Sequence, residues 1–250
     1  MAYRYDKDLE FLSKCTDQQL SDLVYLLTHD KDGKARWTEK LTGTTAYKRH
    51  HPRHSLYWEE IAAEIQCFGA NTFATLFRGG KGVLYKEVLS DACDKLKVNY
   101  NAKSSVAAIE QNMLMKLLEQ AIDSMKPDEI NELATELKLK DSLQSITGPA
   151  LTAACQGIFR LGGFMSYRLT VIIVNAVMKA LIGRGLSLAA NALMMRTASM
   201  LVGPIGWVLT GLWTAIDVAG TAYRVTIPAV VQVAFLRAQM EAQKAGYTEE

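Results

Sequence analysis

The C-terminal part of the chain is almost free of acidic residues, and this feature constrains its fold more than any other. Residues 147–240 contain a single acid, Asp217, among long uncharged runs. The longest run, residues 197–216, has twenty residues, which as one helix would match the roughly 30 Å hydrocarbon core of a bilayer. So apolar a region has to be buried in protein or in lipid. Its basic residues are Arg160, Arg168, Lys179, Arg184, Arg196, Arg224 and Arg237.

The string Gly203-Pro204-Ile205-Gly206 interrupts the longest run and leaves two architectures open. Glycine and proline in this order are typical of a turn, which would make a hairpin with arms of about 186–202 and 206–223. Alternatively, the run is one transmembrane helix kinked at its proline. We favour the hairpin, because small residues along the arms would let two helices pack closely.

The N-terminal part has the composition of a water-facing protein. Residues 1–146 carry 20 basic and 22 acidic groups, against 8 and 4 in residues 147–250. With 49% hydrophobic and 22% charged residues, the chain is too apolar to be disordered. A net charge of +2 favours no nucleic-acid partner. The polar start of the chain lacks a signal-peptide pattern, so we expect a cytoplasmic protein whose four cysteines are reduced.

Helical periodicity and capping residues predict an all-α fold, a helical bundle with an apolar, Gly-rich C-terminal helical hairpin. Thr16 and Gln19 form a capping box before an amphipathic helix. Ser55 is the expected cap of the next helix, and Pro127 suits the first position of a later one. Composition predicts three domains: a small N-terminal helical module at 1–40, a soluble helical bundle at 41–146, and an apolar, basic helical region at 147–250 with its hairpin near 203–206.

Two motifs of the N-terminal part resemble ligand sites but lack essential features. The segment Gly79-Gly80-Lys81-Gly82 has no Ser or Thr after the lysine, which a phosphate-binding P-loop requires, and no strand precedes it. His50, His51 and His54 lie among cations that would repel a divalent metal ion, so we expect a basic surface loop. We therefore predict no cofactor and no metal.

A row of carboxylates leaves an enzyme open as an alternative. Glu87, Asp91 and Asp94 fall on one face of a predicted helix, where they could bind a metal ion together with a facing helix. Nearby lysines can neutralise these acids, so we expect a solvated face and predict no catalytic residue. A metal-dependent helical enzyme using this face is the third hypothesis.

The C-terminal region contains the candidate contact residues. Asp217 and Arg224 lie seven residues apart on one helical face, which makes them a candidate buried ionic switch, because an unpaired charge is costly in lipid or in a dry core. The alternative is a satisfied polar contact at a domain boundary. The side chains predicted to contact a membrane or a partner are Ile205, Trp207, Val208, Trp213 and Tyr223.

Several blocks of the sequence resemble the YaaW-like family of bacterial proteins. These blocks are Tyr3–Leu12, Tyr57–Glu64, Phe68–Thr72, Leu76–Gly79, Gly203–Trp207 and Ala222–Val230. The family commonly has Gly-Gly-Asn where this chain has Gly69-Ala70-Asn71. The resemblance supplies no catalytic residue. The helical middle block has a more remote similarity to ubiquinol–cytochrome c chaperones, which implies a helical assembly factor that works beside a membrane.

These observations favour a non-enzymatic protein that engages the inner membrane, or a membrane-protein partner, through its C-terminal apolar hairpin. The protein would then be peripheral to that membrane or inserted in it, with its cations near the anionic cytoplasmic leaflet. The alternative is a soluble chaperone or interaction protein whose apolar helices are its core. The spacing of Arg168, Lys179 and Arg184 favours burial in protein at rest, because it places charges inside would-be membrane spans.

Overall fold

The computed structural model describes residues 2–30, 32–36, 39–68, 82–140, 145–183, 185–186 and 223–246. Nine α-helices and three short 3-10 turns account for most of these residues, and no β-strand occurs among them. The predicted all-α class is therefore confirmed. The predicted hairpin turn at 203–206 lies outside the described residues.

The first three helices follow the N-terminal segment. Helix α1 spans Asp17–Thr28, α2 spans Thr45–His50 and α3 spans Trp58–Phe68. The predicted capping box of α1 is confirmed, since the Gln19 N–H donates to Thr16 Oγ1 at 3.2 Å and the Thr16 N–H donates to Gln19 Oε1 at 2.9 Å. The sequence pattern does not predict α2, because this helix lies in a polar stretch without an amphipathic pattern.

The predicted cap of the next helix is wrong. A 3-10 turn at His54–Tyr57 leads directly into α3, so Ser55 lies within that turn and not at the start of the helix. The Ser55 N–H donates instead to Asp17 Oδ1, at the start of α1, at 2.8 Å. This contact joins residues 38 positions apart, so the local sequence could not indicate it.

The middle of the chain forms three helices: α4 at Tyr85–Lys95, α5 at Val106–Asp123 and α6 at Pro127–Glu136. Pro127 is the first residue of α6, as predicted. The Lys126 N–H donates to Glu129 Oε2 at 2.7 Å, so a side chain of the first turn caps the N-terminus of this helix.

The apolar C-terminal region forms three further helices: α7 at Gly148–Leu161, α8 at Gly163–Ile182 and α9 at Tyr223–Lys244. The ten residues 169–178 of α8 and the twelve residues 225–236 of α9 are all buried. These apolar stretches therefore form protein core. None of the helices in the described ranges combines the length and the apolar character needed to cross a membrane.

Helix α9 lies at the centre of this arrangement and packs against α1, α3, α4, α5 and α8. Buried apolar residues from the N-terminal, middle and C-terminal parts consequently belong to one hydrophobic core. The division into domains at 1–40, 41–146 and 147–250 stays a prediction. Because α9 packs against helices of both earlier parts, we expect it to stabilise them directly.

Gly82 marks a point where two segments come too close for any other residue. A Cβ atom here would lie 2.4 Å from the backbone carbon and oxygen of Gln66, at the end of α3. The neighbouring Val83 N–H donates to the Gln66 carbonyl at 3.2 Å. Close packing thus accounts for this glycine. The other residues of the glycine-rich segment, 79–81, lie outside the described residues.

Candidate functional site

A cleft of about 250 Å³ opens between α5, α8 and α9. Helix α9 lines it with alanines at helical spacing, Ala234, Ala238 and Ala242, and α8 contributes Ser166 and Thr170. These side chains are small, so the helices leave a groove here although they pack closely elsewhere. The cleft is therefore a concave surface within a helical core.

Glu110 and Arg237 form a largely buried ion pair at this cleft. Arg237 Nε donates to Glu110 Oε2 at 2.9 Å, and the side chains of Arg237 and Glu110 are 16% and 4% exposed. The second carboxylate oxygen, Oε1, accepts from the Tyr85 hydroxyl at 2.7 Å. One carboxylate on α5 thus connects to α4 and α9, with both of its oxygens hydrogen-bonded, as a buried charge requires.

The N-terminal segment completes the surroundings of Arg237. Its Nη2 atom donates to the Asp8 carbonyl at 2.7 Å, and its guanidinium carbon lies 4.5 Å from the centroid of the Phe11 ring. Asp6 Oδ2 accepts from the Tyr85 N–H at 2.6 Å. These polar contacts fix the segment before α1 against α4 and α9.

Burial is the largest single influence on the pKa values of Glu110, Tyr85 and Arg237. It raises the pKa of Glu110, although the Arg237 cation and the Tyr85 hydroxyl act in the opposite direction. It also raises the pKa of Tyr85 well above the ordinary phenol value, and the Glu110 charge adds to this effect. Burial by itself lowers the pKa of Arg237, but the charge of Glu110 and its hydrogen bond, together with Tyr85 and Asp8, outweigh burial and raise it. The cluster therefore holds two donors around one carboxylate, an arrangement suited to anchoring helices.

The four cysteines are all free thiols. Burial raises the pKa of Cys15 to about 11, and that of Cys93 and Cys155 to about 12. Burial also raises the pKa of Cys67, with a contribution from the charge of Glu64. Thiols with such pKa values stay protonated at neutral pH and are poor nucleophiles.

The junction between α7 and α8 carries two exposed apolar side chains beside the cleft. Leu161, the last residue of α7, is 89% exposed, and Phe164 is 41% exposed. Gly162 and Gly163 line the cleft and have φ values of 68° and 74°, which favour glycine. We call residues 161–164 the apolar corner. Apolar side chains grouped beside a cleft are typical of an interaction site.

The structure describes two of the predicted C-terminal site residues. Tyr223 begins α9 and is half-buried, with Lys95 Nζ 5.4 Å from its ring centroid, whereas Arg224 is exposed. Asp217 lies outside the described residues, so its pairing with Arg224 stays a prediction. The same holds for the contacts predicted for four further residues: Ile205, Trp207, Val208 and Trp213.

The carboxylates of the enzyme hypothesis lie on α4. Glu87, Asp91 and Asp94 are exposed, and Asp94 Oδ1 accepts from the Tyr100 hydroxyl at 3.0 Å. Partial burial raises the pKa of Asp91, and the charges of Asp94 and Glu87 add to it. Within the described ranges, no group of three or more His, Cys, Asp or Glu side chains could hold a metal ion. The three carboxylates thus form the solvated face that their spacing predicts.

The histidines after α2 belong to an aromatic cluster. His51 stacks on Tyr47 with ring centroids 4.8 Å apart. His54 is buried, and its Nδ1 atom lies 2.5 Å from the Tyr57 hydroxyl. Burial lowers the pKa of His54, and the neighbouring His51 lowers it further. These rings therefore pack against tyrosines in the loop that the sequence predicts to be basic and at the surface.

The sequence does not predict that Tyr85, Glu110 and Arg237 form a group. Glu110 belongs to the otherwise apolar face of α5, and Arg237 directly follows the uncharged residues 225–236. A lone charge within or beside an apolar stretch is the signal that could have pointed to them. Their pairing could not be predicted, because 127 positions separate the two charges.

The fold and the site define an all-α protein with an apolar central helix and a polar cluster that anchors its N-terminal segment. Two protein families match this chain. Residues 3–37 match a domain of unknown function, DUF3944, and residues 53–232 match the family described as Ubiquinol-cytochrome C chaperone. No solved structure is significantly similar to the chain.

Relatives from bacteria match nearly the whole chain. A UPF0174 protein of Helicobacter pylori is 52% identical over 237 residues, which cover 95% of this chain and 93% of the relative. The UPF0174 protein YaaW of Escherichia coli is 33% identical over 248 residues, which cover 96% of this chain and 97% of YaaW. The chain belongs to the UPF0174 family, and through residues 53–232 to the ubiquinol-cytochrome C chaperone family. The resemblance to YaaW-like proteins is thus confirmed.

Proposed function

We propose that the protein is a chaperone or assembly factor, without catalytic activity of its own, that binds a protein partner. The match of residues 53–232 to the ubiquinol-cytochrome C chaperone family carries this proposal. A chaperone requires a surface that receives its partner and no reacting groups. The cleft and the apolar corner are the surface that we assign to this role.

The partner is expected to place an apolar segment along the cleft. Leu161 and Phe164 lie exposed beside it, and the alanines of α9 leave room for a partner's side chains. Glu241 and Gln111 also line the cleft and can form polar contacts around such a segment. The ion pair between α5 and α9 holds the walls in place before binding, which reduces the ordering that binding requires.

Substitution of the apolar corner tests this site. We expect the double variant Leu161→Ser/Phe164→Ser to bind the partner at least about tenfold more weakly, because burying a leucine or phenylalanine side chain contributes about 1.5–3 kcal/mol. A photo-reactive amino acid introduced at position 161 would first identify the partner by crosslinking in cells. The purified partner is then titrated with the purified chain and its variants.

Tyr5→Ser is the matched control, since Tyr5 is also an exposed apolar residue and does not line the cleft. It is expected to leave the titration unchanged. Equal affinity of the parent protein and the Leu161→Ser/Phe164→Ser variant would contradict the proposed site. Equally strong crosslinks to the same partner from position 5 would contradict it too.

A second candidate function is engagement of the inner membrane through residues 197–216. The observation that favours it is the length of this run, twenty uncharged residues.

We expect the double variant Ile205→Lys/Val208→Lys to abolish carbonate-resistant flotation of the full chain with liposomes, because lysine is costly in hydrocarbon. The control variant Ala102→Lys/Ala153→Lys adds the same charge at exposed positions and should float as the parent does. Undiminished flotation of Ile205→Lys/Val208→Lys, or a parent chain that never floats, would refute this candidate.

A further inference from the structure

A group of exposed cations surrounds the C-terminal end of α2. Residues 46–57 contain no acid, and their cations Lys48, Arg49 and Arg53 are all exposed. His51, in the same stretch, is exposed as well. We call residues 46–57 the basic loop. Its charge has one sign throughout, whereas α4 and α5 carry both acids and cations.

Aromatic packing holds the basic loop together as one unit. The ring of Tyr47 lies 5.5 Å from that of Tyr57, His51 lies 5.5 Å from His54, and His54 lies 5.7 Å from Tyr57, measured between centroids. Tyr57 and His54 are buried and tie these rings to the core. The three cations are close sequence neighbours of these packed rings, and all three are exposed.

Among the described residues, Asp17 and Glu39 are carboxylates whose charges act on the basic loop, and a backbone N–H donates to each of them. Asp17 Oδ1 accepts from the Ser55 N–H at 2.8 Å, and Glu39 Oε2 accepts from the Thr42 N–H at 2.9 Å. The charge of Asp17 also acts on Arg53 and His54, and that of Glu39 acts on Tyr47. Among the described residues, no carboxylate forms a close ion pair with the three cations, which therefore remain available to an external anion.

An exposed leucine lies within the same unit. Leu56 is 54% exposed, although Tyr57 beside it is buried. Cations around an exposed apolar side chain are typical of segments that lie on a membrane, where the cations meet lipid phosphates and the apolar group enters the acyl boundary. An acidic protein surface would account for the cations but would leave the exposure of Leu56 unexplained.

We propose that the basic loop binds the surface of an anionic lipid bilayer. Lys48, Arg49 and Arg53 contact the headgroup phosphates, and Leu56 is buried among the upper acyl chains. This site goes beyond the proposed function, since it lies in the N-terminal part of the chain and requires neither the apolar corner nor residues 197–216. It places the protein at a membrane surface through reversible, salt-sensitive binding.

Co-sedimentation of the full chain with vesicles tests this site. The parent protein is expected to bind phosphatidylcholine vesicles that contain one third phosphatidylglycerol and to bind pure phosphatidylcholine far more weakly. The triple variant Lys48→Gln/Arg49→Gln/Arg53→Gln should partition about a hundredfold more weakly, because each cation near an anionic leaflet contributes about fivefold. Leu56→Ser should weaken binding by about tenfold, the effect of losing one buried aliphatic side chain.

The matched control Lys103→Gln/Lys140→Gln/Lys244→Gln removes three exposed lysines elsewhere and should bind as the parent does. The variant Ile205→Lys/Val208→Lys should also retain binding to anionic vesicles, which separates this site from the membrane candidate above. Binding that does not depend on phosphatidylglycerol, or that survives the triple substitution, would overturn the proposal. The proposal would also be overturned if the parent protein did not bind vesicles and the triple substitution instead abolished binding to an acidic protein partner.

Discussion

Replacing Arg237 by methionine is expected to destabilise the protein by about 3–5 kcal/mol, the effect of leaving one member of a buried ion pair without its partner. The Glu110 carboxylate would lose the donor at 2.9 Å and keep only the Tyr85 hydroxyl. The Asp8 carbonyl and the Phe11 ring would lose their contacts with the guanidinium as well. Urea unfolding followed by circular dichroism measures this change.

Two further variants separate loss of the ion pair from loss of side-chain packing. Arg160→Met removes an exposed arginine at the end of α7 and should change stability by well under about 1 kcal/mol. The double variant Glu110→Leu/Arg237→Met should be more stable than Arg237→Met alone, because no uncompensated charge remains. A double variant that is less stable than Arg237→Met would show that packing, and not the charge, accounts for the effect.

Replacing Glu64 by glutamine is expected to remove much of the pH dependence of stability between about pH 4.5 and 7. Glu64 is buried in α3, where its Oε1 atom accepts from the Lys40 N–H at 3.0 Å and its Oε2 atom has no hydrogen-bond partner among the described residues. Burial raises the pKa of Glu64 to about 7, with a smaller contribution from the charge of Glu39, while the Lys40 N–H opposes the shift. Glutamine keeps the acceptor for Lys40 and carries no charge.

The sign of the effect follows from the raised pKa. The folded protein keeps a proton on Glu64 that the unfolded chain has already lost, so stability falls as pH rises through this window and levels off above about pH 7. The shift from 4.5 to about 7 corresponds to about 3 kcal/mol. The unfolding free energy of Glu64→Gln minus that of the parent protein should therefore increase by about 3 kcal/mol between pH 4.5 and pH 8.

Urea titrations of both proteins across this range measure the difference. Glu59→Gln, which removes an exposed carboxylate from the same helix, is the matched control and should follow the parent profile. If Glu64→Gln and the parent protein gave parallel profiles, Glu64 would not keep its proton near neutral pH in the folded protein.

Local interactions made much of the helical architecture predictable. Thr16 and Gln19 bond to each other's backbone, and Pro127 begins a helix, because capping depends on residues within one turn. Helix α2 was missed because its sequence has no amphipathic stripe. The contact of its Tyr47 with Tyr57 depends on a loop that folds back on the helix. Ser55 was misplaced for a similar reason, since its N–H bonds to Asp17 of a distant helix.

The candidate site was less predictable than the fold. The exposure of Leu161 and Phe164 depends on which face of the α7–α8 junction the other helices cover. The cleft exists because the small residues of α9 happen to face α5 and α8. Neither property can be read from hydropathy alone, since an exposed leucine and a buried one look the same in a sequence.

The sequence by itself determined the all-α class, several helix ends and the apolar, acid-poor character of the C-terminal part, because periodicity, capping and composition are local properties. Only the tertiary structure decided that residues 169–178 and 225–236 are buried in protein, and that Glu110 pairs with Arg237 across 127 positions. The physical reason is that burial and the pairing of charges depend on which helices meet. That choice is made by the packing of the whole core, at whose centre α9 lies.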